Sequence, residues 1–320
     1  MYRIWVDETP LESILPMLHG IAEVIGPNAS IEDLATCDAA LDPGAPWNAE
    51  RLDRAPRLKV LSRIGVGYDN IDLGAATERG ITVCYTPNGP TRSTAEHAVA
   101  LIFAAAKTVA YADRDMRAGR WHSNFFGLKG MELQDRILGL IGLGRIGLQV
   151  ARIMQAIGMH TIAFDPAFSP QQASDFGIQK MDSFEELLAR ADIISLHAPS
   201  TPATRHLINE ATLSKMKQGS ILINTARGSL VDEVALANAL KSGRLASAGL
   251  DVFEKEPIAA DNPLLALENV VLTDHIASHT WAGHHRLYQM AVHHAIQALH
   301  GERPDCLLNE VPRHKSRCAY

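Results

Sequence analysis

Short apolar runs alternate with helical patterns along nearly the whole chain. "YRIWVDE" at the start reads as a strand, and residues 11–19 follow as a helix. "CDAALDPG" ends in turn chemistry, "LKVLSRIGVG" is a strand closing on Gly65 and Gly67, and "GITVCYTP" is a strand stopped by Pro87. One long helical pattern then runs from Ser93 to about Ala118 and is closed by Gly119. Residues 1–90 therefore read as a small α/β unit, and it contains no phosphate-binding loop.

A second series begins at "DRILGLIGLG". A helix "RIGLQVARIMQAIG" leads to strand "MHTIAFD". The segment "SFEELLARA" opens with Ser183 and Glu186 at capping-box spacing. Strand "DIISLHAP", a helix near 209–217, strand "SILINTAR", helix "DEVALANALKSG" and strands "SAGLDVF" and "NVVLTDH" complete the alternation. Such a sequence predicts an α/β fold with parallel sheets covered by helices on both faces. A last helix over roughly 281–300 has no strand after it, and the tail reads as irregular.

Composition narrows the function classes. The chain has 320 residues, 47% hydrophobic and 21% charged, which predicts an ordinary globular protein of two domains. Its net charge of -6, with no basic run, argues against nucleic acid or an anionic membrane as partner. No apolar run reaches about 18 residues and no secretory leader pattern opens the chain, so a cytoplasmic location is expected. Cys37, Cys84, Cys306 and Cys318 are scattered without a CxxC pair, consistent with reduced thiols. The fourteen histidines show no HExxH or Cys/His cluster, so no metal is expected.

The stretch "LGLIGLGRIG" carries Gly142, Gly144 and Gly147 in GxGxxG spacing, after an apolar strand and before a helix. Glycines there let the backbone approach a pyrophosphate at the helix N-terminus. Asp165 ends the next strand eighteen residues beyond Gly147, close to the separation of about 20 expected of a ribose-binding acid. A carboxylate accepts from a free 2′-hydroxyl and repels a 2′-phosphate, so NAD(H) is favoured over NADP(H). Three further segments place titratable groups after apolar strands: Arg227 in "ILINTARGSLVDE", Asp251, Glu254 and Glu256 in "GLDVFEKEP", and His275 in "VVLTDHIASHT". Ligands of open α/β sheets bind at the carboxyl ends of the strands, where all of these groups would lie.

"GLGRIG", "NTARGSLVDE", "GLDVFEKEP" and "DHIAS", in this order and spacing, resemble the D-isomer-specific 2-hydroxyacid dehydrogenase family. With "RIGVGYDNIDLGAATERGITVCYTPNGPTRSTAEHAVAL", the resemblance covers about residues 57–280. It implies two flavodoxin- or Rossmann-like parallel-sheet domains, the nucleotide domain (93–284) inserted into a substrate domain (1–92 and 285–320). It implies NAD(H)-dependent hydride transfer to a small 2-oxo acid, by a homodimer paired through the long helix after residue 92. Arg227 would grip the substrate carboxylate, His275 would be the general acid or base, and Glu256 would orient the imidazole and favour its protonated form. Arg145 and Ile146 would offer amides to the pyrophosphate, with His197 also in the cofactor set. Thr225, Ala226 and Asp251 would flank the nicotinamide ribose and carboxamide, and the backbone at Val66 and Gly67 would receive the substrate carboxylate. Glu254 fits the motif less well and is expected to be exposed.

Some positions depart from the family's pattern. Asp274 stands where proline commonly precedes the histidine, and it would either favour the charged ring further or point to solvent. Pro43 lies near the position of an arginine that grips phosphate in many phosphoglycerate dehydrogenases, while Arg63 is present. The chain is also too short for the C-terminal regulatory domains of some of those enzymes. Glyoxylate or hydroxypyruvate is therefore the favoured substrate, with 3-phosphoglycerate still open. An NAD-sensing corepressor-like binding protein and a phosphite dehydrogenase are the alternative readings on the same fold. Formate-specific members carry extra N-terminal sequence, which argues against formate.

Overall fold

Two all-parallel sheets organise the chain in a computed structural model that describes residues 1–8, 12–121 and 129–318. The chain divides into two units, one made of Met1–Pro90 with His279–Tyr320 and the other of Thr91–Ser278.

The first unit holds β1 (Tyr2–Val6), β2 (Ala22–Ile25), β3 (Ala39–Asp42), β4 (Val60–Arg63) and β5 (Thr82–Tyr85), in the order β2-β1-β3-β4-β5. This is the flavodoxin-like order. Its helices include α1 (Leu15–Leu18), α2 (Ala49–Asp53) and α3 (Leu73–Glu78). The C-terminal helix Trp281–Leu299 covers one sheet face, where Leu287, Ala291 and Ala295 join Ile4, Leu41 and Val60 in one buried cluster. The helix expected over residues 11–19 is a 3₁₀ turn, Glu12–Ile14, running into the single turn of α1, and Leu11 lies outside the described residues. The sequence pattern also missed β2, a four-residue edge strand too short to display an alternation.

The second unit holds α4 (Thr91–Ala106), α5 (Val109–Arg117), β6 (Ile137–Ile141), α6 (Arg145–Ala156), β7 (His160–Phe164), α7 (Pro170–Asp175), β8 (Gln179–Lys180), α8 (Phe184–Arg190), β9 (Ile193–Leu196), α9 (Glu210–Lys215), β10 (Ser220–Asn224), α10 (Glu233–Lys241), β11 (Leu245–Leu250) and β12 (Val270–Leu272). The sheet order is β12-β11-β10-β9-β6-β7-β8, the doubly wound Rossmann arrangement whose order reverses between β6 and β9. Residues of β9 and β10 are buried on both faces, as a sheet covered on both sides requires.

Two local elements differ from the sequence pattern. The helical pattern from Ser93 to Ala118 is two helices, broken at Thr108, whose φ of 55° is left-handed. The carbonyl of Ala106 accepts the amide of Met131 at 2.7 Å, so an incoming segment takes an acceptor of the helical ladder. At α8 only half of the capping box forms. Ser183 accepts from the amide of Glu186, while the Glu186 carboxylate turns to Arg190 at 3.3 Å. Among the described residues no helix is long and apolar enough to cross a membrane.

Candidate active site

The glycine turn after β6 is built by contacts that exclude side chains. Gly142 has φ 96°, and a Cβ on it would lie 2.8 Å from the carbonyl of His197. A Cβ on Gly147 would lie 2.4 Å from the oxygen of Gly142, so the turn and the first turn of α6 must interlock. Gly144 differs: a Cβ there would meet nothing within 4 Å among the described residues. It begins α6 with no side-chain cap, and the amides of Arg145 and Ile146 open the helix behind it. Space over an uncapped helix N-terminus suits an anion.

Asp165, just beyond β7, ties this turn to its neighbour strand. One carboxylate oxygen accepts the amide of Leu143 at 2.7 Å and the other accepts that of Ala167 at 2.8 Å. Each oxygen keeps a second lone pair for a hydroxyl donor. The His197 ring, at the end of β9, meets Ser195 Oγ at 3.0 Å, and burial pushes its pKa down to about 4, so the ring is neutral at neutral pH. After β10, Thr225 is buried and its hydroxyl has no hydrogen-bond partner among the described residues, an unmet bond that a sugar hydroxyl would satisfy. Together the open ground above Gly144, the carboxylate of Asp165 and this hydroxyl fit a dinucleotide.

The other strand ends carry the remaining titratable groups. Asn224 shapes the loop after β10 by accepting from the amide of Ala226 at 3.0 Å and donating to the carbonyl of Arg227 at 2.8 Å. Arg227 Nη1 donates to the carbonyl of Ala226 at 2.7 Å, which holds the root of the guanidinium against its own loop. Gly228 lies so close to the chain after β11 that a Cβ would fall 1.9 Å from the carbonyl carbon of Phe253, so the Arg227 and Glu256 loops interlock. Glu256 accepts the amide of Phe253 at 3.0 Å through Oε1 and meets His275 Nδ1 at 2.6 Å through Oε2. Burial pushes the Glu256 carboxyl up, but its bonds to His275 and Phe253 and the charge of Arg227 outweigh that, holding it below the usual carboxylate value. The pair is accessible, with the His275 side chain 51% exposed.

His275 occupies a left-handed backbone conformation, φ 58°. That geometry costs a non-glycine residue about 1–3 kcal/mol and persists only where its surroundings impose it. Asp251 imposes it: its carbonyl accepts the amide of His275 at 2.9 Å, and its carboxylate accepts those of Ile276 and Ala277 at 2.9 and 3.0 Å. Burial pushes the Asp251 carboxyl up, yet hydrogen bonds from His97, Thr273 and these amides more than offset it, so Asp251 is ionised. Its side chain is thus buried beneath the loop that carries His275. Asp274 is exposed.

Glu254 is exposed at the residue level yet engaged. It accepts the amide of Glu233 at the start of α10 at 3.2 Å and pairs with His206 at 3.1 Å. In the first unit, Val66 is 36% exposed on the loop after β4. Arg63 shapes that loop, donating to the carbonyls of Gly67 at 2.7 Å, Ile64 at 2.9 Å and Asp42 at 3.0 Å. Sequence reasoning missed His97 and Thr273. The one available signal was a titratable ring beside the buried stripe of α4, between Thr94 and Leu101.

Residues 99–277 match the model for the D-isomer specific 2-hydroxyacid dehydrogenase, NAD binding domain. A glyoxylate reductase of Korarchaeum cryptofilum is 42% identical over 283 residues, covering 88% of this chain and 85% of the relative. The chain belongs to this family. A D-3-phosphoglycerate dehydrogenase of Archaeoglobus fulgidus is 48% identical over 73% of the chain, which spans only 44% of that relative's length. The crystal structure of a Thermus thermophilus protein superposes with TM-score 0.88 at 37% identity, covering 96% of this chain and all of that one. The chain therefore carries the family's NAD-binding domain in its second unit.

Proposed function

We propose that the protein is an NAD(H)-dependent D-2-hydroxyacid dehydrogenase that reduces a small unphosphorylated 2-oxo acid. The observation that carries this reading is the His275–Glu256 pair, 2.6 Å apart, in loops interlocked with that of Arg227 at the carboxyl edge of a Rossmann sheet. Glu256 holds Nδ1, which leaves Nε2 as the atom that delivers a proton to the substrate carbonyl oxygen. Arg227 binds the carboxylate and presents one face of the carbonyl. Bound NADH supplies the hydride. In the reverse direction the neutral His275 ring accepts the hydroxyl proton. Gly144, Arg145 and Ile146 would hold the pyrophosphate, Asp165 the adenosine ribose, and Thr225 and Ala226 the nicotinamide ribose.

In the first unit, the turn at Val66 and Gly67 is proposed to receive substrate oxygens through its backbone. The engagement of Arg63 with three carbonyls supports an unphosphorylated substrate, because its guanidinium is committed to shaping the turn. Steady-state NADH oxidation with glyoxylate, hydroxypyruvate and 3-phosphohydroxypyruvate tests this. The two unphosphorylated acids should give kcat/KM at least about tenfold higher, equivalent to about 1.4 kcal/mol in the transition state. A preference for the phosphorylated acid would overturn the substrate assignment.

Asp165 should set the cofactor. Asp165→Ser with arginine in place of Ala167 is expected to raise kcat/KM for NADPH relative to NADH by about 10²-fold, since a carboxylate no longer opposes the phosphate. An unchanged ratio would mean that the ribose is read elsewhere. The exposed apolar side chains Phe103, Val109 and Met116 on α4 and α5 support a homodimer paired through these helices. Light scattering at micromolar concentration should give twice the chain mass, and a monomer would refute the pairing.

A further inference from the structure

We propose that His97, on α4, is a positioning residue that locks the loop carrying His275 by completing the hydrogen-bond shell of Asp251. The proposal rests on the reading of His275 as the proton donor. The Nε2 of His97 lies 3.0 Å from Thr273 Oγ1 and 3.3 Å from Asp251 Oδ1. The Thr273 hydroxyl gives its single hydrogen to Asp251 Oδ1, at 2.6 Å. In the contact with His97 the hydroxyl is therefore the acceptor, and Nε2 must carry the proton. That N–H sits between two acceptors, one of them a carboxylate whose side chain is only 1% exposed.

A carboxylate so buried depends on its donors, and those of Asp251 form a chain that ends on the catalytic residue. Thr273 and the amides of Ile276 and Ala277 share the two carboxylate oxygens, while the Asp251 carbonyl holds the amide of His275. His97 is the one donor in this set that comes from outside the β11–β12 region. Its helix is fixed against that region: a Cβ on Gly249, in β11, would lie 3.0 Å from Leu101 Cβ, one helical turn beyond His97. The ring thus ties a rigid helix to the carboxylate that imposes the left-handed φ of His275.

The test compares His97→Leu, which keeps bulk and removes the donor, with His97→Gln, whose Nε2 can still donate. His97→Leu should lower kcat for the 2-oxo acid by about 10–100-fold, the usual effect of losing a supporting shell around a site, and leave KM within about threefold. His97→Gln should recover kcat to within about fivefold of the unmodified protein. Amide hydrogen exchange read at Ile276 and Ala277 should accelerate by about tenfold or more in His97→Leu and stay near the unmodified rate in His97→Gln. Unchanged kcat in His97→Leu, a glutamine variant as impaired as the leucine one, or unchanged exchange would each overturn the proposal. If His97→Leu does not fold, Thr273→Val, which removes the bridging hydroxyl, must show the same kcat loss and the same faster exchange. If the unmodified chain reduces no 2-oxo acid, the enzymatic reading falls, and the exchange experiment still decides the role of His97.

Discussion

Arg227→Ala is expected to lower kcat/KM for a 2-oxo acid by about 10³-fold, in line with the loss of a charged donor that positions the reacting group. NADH affinity should stay within about twofold, because the guanidinium is assigned to the substrate carboxylate and not to the cofactor. Arg227→Lys should rescue little of the loss, since an ammonium offers no planar fork. Steady-state rates and NADH fluorescence titration of the same preparations separate the two effects. A large fall in NADH affinity with unchanged substrate kinetics would reassign Arg227 to the cofactor.

His275→Ala should lower the rate by about 10²–10⁴-fold, the range of a general acid. Adding Glu256→Gln to that variant should cost less than about threefold more, because residues that act as a unit are not additive. Glu256→Gln alone has a signed effect on pH dependence. The carboxyl of Glu256 is held below the usual carboxylate value, its bonds to His275 and Phe253 outweighing its burial. The reduction profile should therefore lose activity on the acid side as pH falls through that lowered value, and Glu256→Gln, with no carboxyl to protonate, should lose this acid limb. Independent losses, or an acid limb that persists in Glu256→Gln, would remove Glu256 as the partner of His275. The carboxyl of Glu256 is held below its ordinary value in the folded chain. The pair thus contributes stability above the unfolded-chain value and loses it as pH falls through the folded one.

The parts of the site legible in the sequence are those where backbone geometry dictates residue type. Gly142 and Gly147 are glycines because a Cβ would strike a neighbouring backbone, so the turn is written in its letters. Arg227 and His275 were legible as titratable groups just after apolar strands, while the choice of Glu256 over Asp251 and Glu254 came from the family resemblance. What escaped depends on contacts distant in sequence. At the break between α4 and α5 the Ala106 carbonyl accepts the amide of Met131, a contact distant in sequence that the helical pattern of residues 93–118 does not show. Asp251, expected beside the nicotinamide ribose and carboxamide, also accepts from the amides of Ile276 and Ala277 and lies 3.3 Å from His97, partners that its own segment does not announce. Glu254 reads as a solvated acid in an "EKE" run, yet it receives the amide that opens α10 and pairs with His206.

Isotope transfer from the cofactor follows the hydride itself. The protein is incubated with glyoxylate or hydroxypyruvate and NADH carrying deuterium at the transferable C4 position, and the product is examined by mass spectrometry and chiral chromatography. For both acids the expected product is a 2-hydroxy acid one mass unit heavier, labelled at C2, with hydroxypyruvate giving the D isomer. Arg227→Ala and His275→Ala should suppress product formation. No labelled product from any small 2-oxo acid, or labelling that survives both substitutions, would contradict this reading.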